Sequence, residues 1–120
     1  MNKVHRMLSF KLPALSLLYA ILICLIPSPA AAGAGGGQIT GYIGQFNGIA
    51  FFNLAGRSDV PSCATSYPNR WIVDATTPAG AALLSSVLTA YALGKTVNVQ
   101  GSGDCRLGYS TEAVSYIYLP

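Results

Sequence analysis

Residues 38–54 read Gln-Ile-Thr-Gly-Tyr-Ile-Gly-Gln-Phe-Asn-Gly-Ile-Ala-Phe-Phe-Asn-Leu, and this stretch decides the fold. Ile39, Tyr42, Ile43 and Phe46 make a first strand, which Gly41 and Gly44 interrupt. Glycine inside a strand marks a bend or bulge, as needed where a sheet curls into a barrel. Asn47-Gly48 is the strongest short hairpin signal, because both residues accept the positive φ of a two-residue turn. Residues 49–54, with Phe51-Phe52 at their centre, therefore return as a second strand.

Toward the C-terminus, residues 55–69 carry Gly56, Pro61 and Pro68 and read as a loop holding Cys63; Trp71-Ile72-Val73 is a short third strand with Trp71 in the core. A helix follows. Thr77 suits its N-cap, Pro78 its first position and Gly94 the residue past its end. Leu84, Val87, Leu88 and Tyr91 recur at helical spacing and predict a buried stripe. The opposite face, with Ala81, Ala82, Ser85, Ser86 and Thr89, has no charge, whereas exposed helices normally carry charged residues there. It is either a mildly polar solvent face or, at Ala82, Ser85, Ser86 and Thr89, a subunit interface. Val97 and Val99 mark a fourth strand with Asn98 and Gln100 pointing the other way; residues 101–111 are a polar loop holding Cys105. In the last strand, residues 113–119, strict alternation puts Ala113, Ser115, Ile117 and Leu119 on one face and Val114, Tyr116 and Tyr118 on the other. The order βββαββ predicts a mostly β domain over residues 38–120, an OB-like five-stranded Greek-key barrel with its helix between strands three and four. A generic α+β roll is the alternative.

Toward the N-terminus, residues 1–11 contain Lys3, Arg6 and Lys11 and no acid, residues 12–26 are almost entirely apolar, and Pro27 and Pro29 lead into Ala30-Ala31-Ala32. A basic start, an apolar core and an A-x-A site predict a secretory signal peptide over residues 1–32, cut near Ala32. The apolar run is short against the roughly 20 residues of a spanning helix. Cys24 follows Ile23 rather than the small residue that lipid attachment favours. Residues 33–37, Gly-Ala-Gly-Gly-Gly, then read as a flexible tail. The expected location is secreted or periplasmic. There the remaining cysteines, Cys63 and Cys105, are expected to form one disulfide.

Removing the leader also removes His5, the only histidine, and three of the seven basic residues. Arg57, Arg70, Lys95 and Arg106 then balance Asp59, Asp74, Asp104 and Glu112, so the formal charge of +3 belongs to the leader. A neutral domain lacks the basic stripe that nucleic-acid binding requires. No histidine remains for a triad or a general base, no G-x-S-x-G elbow is present, and oxidised cysteines cannot act as nucleophiles. No His or Cys cluster suggests zinc, and the four acids make no calcium loop. Asp74 with Asp104 or Glu112 could be imagined as a glycosidase pair, but these acids are expected to pair with the basic residues at the surface. Gly101-Ser102-Gly103 precedes no helix and reads as a turn, not a phosphate loop. The expectation is a non-catalytic chain without metal or cofactor.

Several stretches resemble a family of small exported bacterial proteins that is itself similar to the B subunit of subtilase cytotoxin and its relatives in typhoid and pertussis-like toxins. They are Ile43-Gly44-Gln45-Phe46-Asn47-Gly48, Arg70-Trp71-Ile72-Val73-Asp74, Thr77-Pro78-Ala79-Gly80, and Leu88 through Val97. The resemblance implies an OB fold in a pentameric, glycan-binding subunit whose helices line a central pore. It carries over no sugar-binding residue, because Ile39 and Gly101 stand near the places of the serine and tyrosine that grip sialic acid in those toxins. The expected function is an exported binding module, glycan-binding and oligomeric; the alternative is a protein-interaction module, either an inhibitor or a subunit of an envelope complex. Ligand candidates are Asp104, Arg106 and Tyr109 on the loop before the last strand, and Tyr116 and Tyr118 on that strand.

Overall fold

The Asn47-Gly48 turn organises the sheet in a computed structural model that describes residues 31–120. Asn47 and Gly48 both adopt positive φ, 49° and 78°, and Phe46 pairs directly with Ile49. The flanking strands are β1, Ala34–Phe46, and β2, Ile49–Ser58. A 3-10 turn at Ser62–Ala64 precedes β3, Arg70–Asp74; the helix α1, Pro78–Ala92, and strands β4, Thr96–Gly101, and β5, Glu112–Tyr118, complete the described chain. The strands close into a barrel in the order β1-β2-β3-β5-β4, with β1 returning to β4. The sheet is mixed: β3 and β5 are parallel, and the other neighbours are antiparallel.

β1 serves two partners because it bends. Its register against β2 shifts between Gly36 and Ile39 and again between Ile39 and Ile43. Gly37 (φ 142°) and Gly41 (φ 79°) sit at these shifts, in a region closed to most L-residues. Gly44, expected to interrupt the strand, pairs regularly with Phe51.

The glycine tract is not a tail. Ala34, Gly35 and Gly36 pair with Ser58, Arg57 and Gly56 on one side and with Gln100, Val99 and Asn98 on the other. A strand flanked on both sides gains a full ladder of backbone hydrogen bonds, which outweighs the poor strand propensity of glycine. The same pairing extends β2 through Ser58, into residues expected to form a loop. The leader read over residues 1–32 lies outside the described residues except for Ala31 and Ala32, which are exposed.

Helix α1 has the expected caps. Thr77 Oγ1 accepts from Gly80 N at 3.0 Å. At the other end Gly94 (φ 60°) donates to Tyr91 O and Lys95 to Ala90 O, the paired bonds of a Schellman ending. The buried face differs from the expected stripe. Gly80, Val87 and Ala90 are buried with Leu83 and Leu84 packed beside them, while Leu88 and Tyr91 are 46% and 51% exposed. Small residues win these positions because the helix lies close to the barrel. A Cβ on Gly80 would collide with Asp74 O at the end of β3.

Two apolar clusters result. The barrel interior holds Ile39, Phe52, Leu54, Trp71, Val97 and Val114 among others, closed at one end by Val87 and Ala90. Outside the barrel wall, Phe51, Ile72 and Ala113 are covered by Leu107 and Ile49. The Cys63–Cys105 disulfide, with Cα atoms 6.1 Å apart, ties the loop after β2 to the loop after β4.

Candidate ligand-binding surfaces

A bulge in β5 creates an open aromatic surface. Gly101 pairs with Val114 and Gln100 with Tyr116, so Ser115 is an extra residue on β5. The bulge reverses the alternation expected for this strand. Val114 points inward before it, Ile117 packs on the core after it, and Tyr116 and Tyr118 are both turned outward, 52% and 55% exposed.

Sheet register then assembles the rest of the site in two rungs. Gly56, Gly36, Asn98 and Tyr118 face one another across β2, β1, β4 and β5, and Ser58, Ala34, Gln100 and Tyr116 form the next rung. Each rung runs from small residues, through an amide, to a tyrosine. Together they line a groove of about 320 Å³. The tyrosine ring centroids are 6.5 Å apart with their planes inclined at 31°. Gln100 Nε2 donates to Gly33 O at 3.1 Å, which fixes that amide. Among the described residues, no ionisable group other than the two phenols lines the groove. Such a surface offers stacking faces, amide donors and acceptors, and a floor where a ligand can approach bare backbone.

Arg70 centres a second surface, on the outer side of β2 and β3, which the sequence reading did not single out. Its guanidinium lies 3.5 Å from the Tyr67 ring centroid and 5.2 Å from that of Phe51. Nε donates to Thr111 Oγ1 at 2.7 Å and an Nη to Tyr109 O at 2.5 Å. Tyr109 has φ 60° and Ser110 φ 48°. Arg70 therefore holds two successive left-handed residues in place, and the Tyr109 ring meets Phe51 edge-on at 5.3 Å. Tyr109 is half-exposed but serves first as a lid over the outer cluster. The spacing of Tyr67 and Arg70 was the available signal.

Asp104 and Arg106 shape their own loop. Asp104 Oδ1 accepts from Ser102 Oγ and from Arg106 N, and the Arg106–Asp104 ion pair is exposed and long at 3.8 Å. Arg106 borders a separate concavity, between α1 and the β3–β5 edge, that includes Leu107, Thr77 and Leu83. The five ligand candidates thus fall on three surfaces: Tyr116 and Tyr118 share the groove, Asp104 and Arg106 share their own loop, and Tyr109 stands apart against Phe51.

On α1, Ala82, Ser85 and Thr89 are exposed and Ser86 is half-buried. Ser86 Oγ donates to Ala82 O at 3.1 Å and Thr89 Oγ1 to Ser85 O at 2.8 Å. Ser86 and Thr89 thereby spend their hydroxyl donors on the helix itself, and the charge-free face is less polar than its composition.

The acids are not all at the surface. Glu112 is fully buried, paired with the buried Arg57. Its Oε1 also accepts from Gly33 N at 2.9 Å and Gly103 N at 2.8 Å. Arg57 lies 4.0 Å from the Trp71 ring centroid and donates to Arg70 O. Burial pulls the Arg57 guanidinium below its ordinary value, and Glu112 pulls it back up. Arg57 Nε and Trp71 Nε1 are buried without an acceptor among the described residues. Asp74 instead closes the turn before α1. Hydrogen bonds from the Thr76 hydroxyl, then from its backbone N–H, hold its carboxyl below the usual carboxylate range. Each acid of the imagined glycosidase pair is thus committed to a separate local network. Among the described residues, no three His, Cys, Asp or Glu side chains are grouped to hold a metal ion. No family model, curated protein or solved structure matches the chain.

Proposed function

We propose that the chain is an exported, non-catalytic carbohydrate-binding module and that the Tyr116–Tyr118 groove takes a neutral sugar. The observation that carries this reading is the pairing of two outward tyrosines with Asn98 and Gln100 over a glycine floor. Sugar rings present apolar C–H faces and polar edges, which suit aromatic platforms flanked by amides. The strand order and the helix between β3 and β4 favour an OB-type barrel, a fold used for oligosaccharide binding. The neutral groove disfavours nucleic acid, whose phosphates need cations.

A glycan array followed by calorimetry on the best neutral oligosaccharide tests the reading. Tyr116→Ala and Tyr118→Ala should each weaken binding about tenfold, the order expected for a lost stacking contact of ~1–1.5 kcal/mol, with an unchanged circular dichroism spectrum. Binding that survives the double substitution would remove the groove from consideration.

The uncharged helix favours a second reading, protein interaction or self-association. Leu88, Tyr91 and Leu93 are exposed beside Ala82, Ser85 and Thr89. Native mass spectrometry separates the two: a pentamer would make this face a subunit contact and give a lectin multivalency, and a monomer would leave the groove to act alone.

A further inference from the structure

We propose that export processing cuts the Ala32–Gly33 peptide bond and that the α-ammonium group formed on Gly33 is received by the buried Glu112 carboxylate. The inference rests on the reading of residues 1–32 as a leader and is independent of what the groove binds. Two unrelated features meet at this one bond. In the sequence, Ala30-Ala31-Ala32 places an A-x-A cut after Ala32. In the fold, Ala31 and Ala32 are exposed and Gly33 is the first buried residue described. Gly33 O accepts from Gly101 N at 2.8 Å and from Gln100 Nε2 at 3.1 Å, and Gly33 N donates to Glu112 Oε1 at 2.9 Å. The first anchored residue is the one that the cut would make the first of the chain.

Cleavage is hydrolysis by an endopeptidase specific for small residues. Water adds across the bond, the C–N bond breaks, the hydroxyl stays on the Ala32 carbonyl carbon and the hydrogen passes to Gly33 nitrogen. The Ala32 carboxylic acid ionises, and the Gly33 amine takes up a proton to become an ammonium. An amide donor is thereby replaced by a cation at the same atom, and its bond to Glu112 becomes charge-assisted. Glu112 can accept it. Oε2 faces Arg57, while among the described residues Oε1 otherwise meets only the neutral donor Gly103 N.

The pocket also specifies which residue may come first. A Cβ on Gly33 would meet Asp59 O, Glu112 Oε2 and Arg57 Nη2, and a Cβ on Gly101 would strike the Glu112 carboxylate. Only glycine seats its nitrogen there. A cut further along β1 would remove Gly33 and leave Glu112 without this donor. A retained leader would keep Gly33 N as an amide.

The test uses the full chain, expressed with its leader in an exporting bacterium and purified from the exported fraction. Its N-terminus is sequenced, and it is then dimethylated with formaldehyde and a mild reductant, native and denatured. The expected first residue is Gly33. Its α-amine should label at least about tenfold more slowly in the native protein than in the denatured protein, since labelling awaits local opening. Exposed Lys95 should label alike in both. In Gly33→Ala, still a small residue for the peptidase, the α-amine should lose this protection while circular dichroism reports a folded barrel. A different first residue, a retained leader, or a Gly33 amine that labels equally fast in native and denatured protein would overturn the proposal.

Discussion

At the residue scale, Glu112 does the most for the fold. It neutralises Arg57 and ties β5 to Gly33 and Gly103. Removing one partner of a buried pair leaves an uncompensated charge, so Glu112→Gln should cost about 3–5 kcal/mol in urea unfolding, whereas Arg57→Met with Glu112→Met should cost less than Glu112→Gln alone. This residue was hard to read in the sequence. An acid at the start of an apolar strand looks like a strand end at the surface, and what buries it arrives from β2 and from a glycine tract about 80 positions away. Asp74 gives a smaller, pH-dependent effect. Its folded pKa lies below the unfolded value of about 3.9, so its contribution is present above that value and is lost as pH falls through the folded one. Asp74→Asn should therefore flatten the acid limb of a Tm–pH curve below about pH 4.

At the element scale, α1 tests how local signals set boundaries. Thr77→Ala should cost about 1 kcal/mol of stability through the lost cap, and Gly94→Ala a similar amount, because alanine is strained at φ 60°. Thermal denaturation of the two variants checks this. These caps were legible because each depends on residues within one turn, as was the Asn47-Gly48 hairpin. The helix's buried face was legible only in part: Val87 and Leu84 of the expected stripe do face the core, but Gly80 and Ala90 carry little hydrophobic signal and are chosen by proximity to β3 and the barrel mouth. The tyrosine pair was half legible. Alternate tyrosines announce a shared face, but the Ser115 bulge decides that this face is outward, and Asn98, Gln100 and the glycine floor join it only through register with β4, β1 and β2.

At the scale of the whole molecule, the disulfide and the closed sheet act together. The bridge joins residues 42 apart, so in the chain-entropy model Cys63→Ser with Cys105→Ser should lower stability by about 4 kcal/mol, read from denaturant midpoints under oxidising conditions. Much of its work is to hold the loops over Phe51, Ile72 and Ala113, and the double variant should therefore also expose that cluster to a hydrophobic dye. The parallel β3–β5 pairing sets a further condition, on timing. Trp71 meets Glu112 and Ile72 meets Ala113, and β5 is also the partner of β4, so the ring closes only after β5 has been synthesised. Contacts this distant in sequence close late and slowly. A nascent chain with such wiring cannot close its barrel before β5 has left the ribosome, and until then a membrane pore that admits only an extended polypeptide would meet it in a form it can thread.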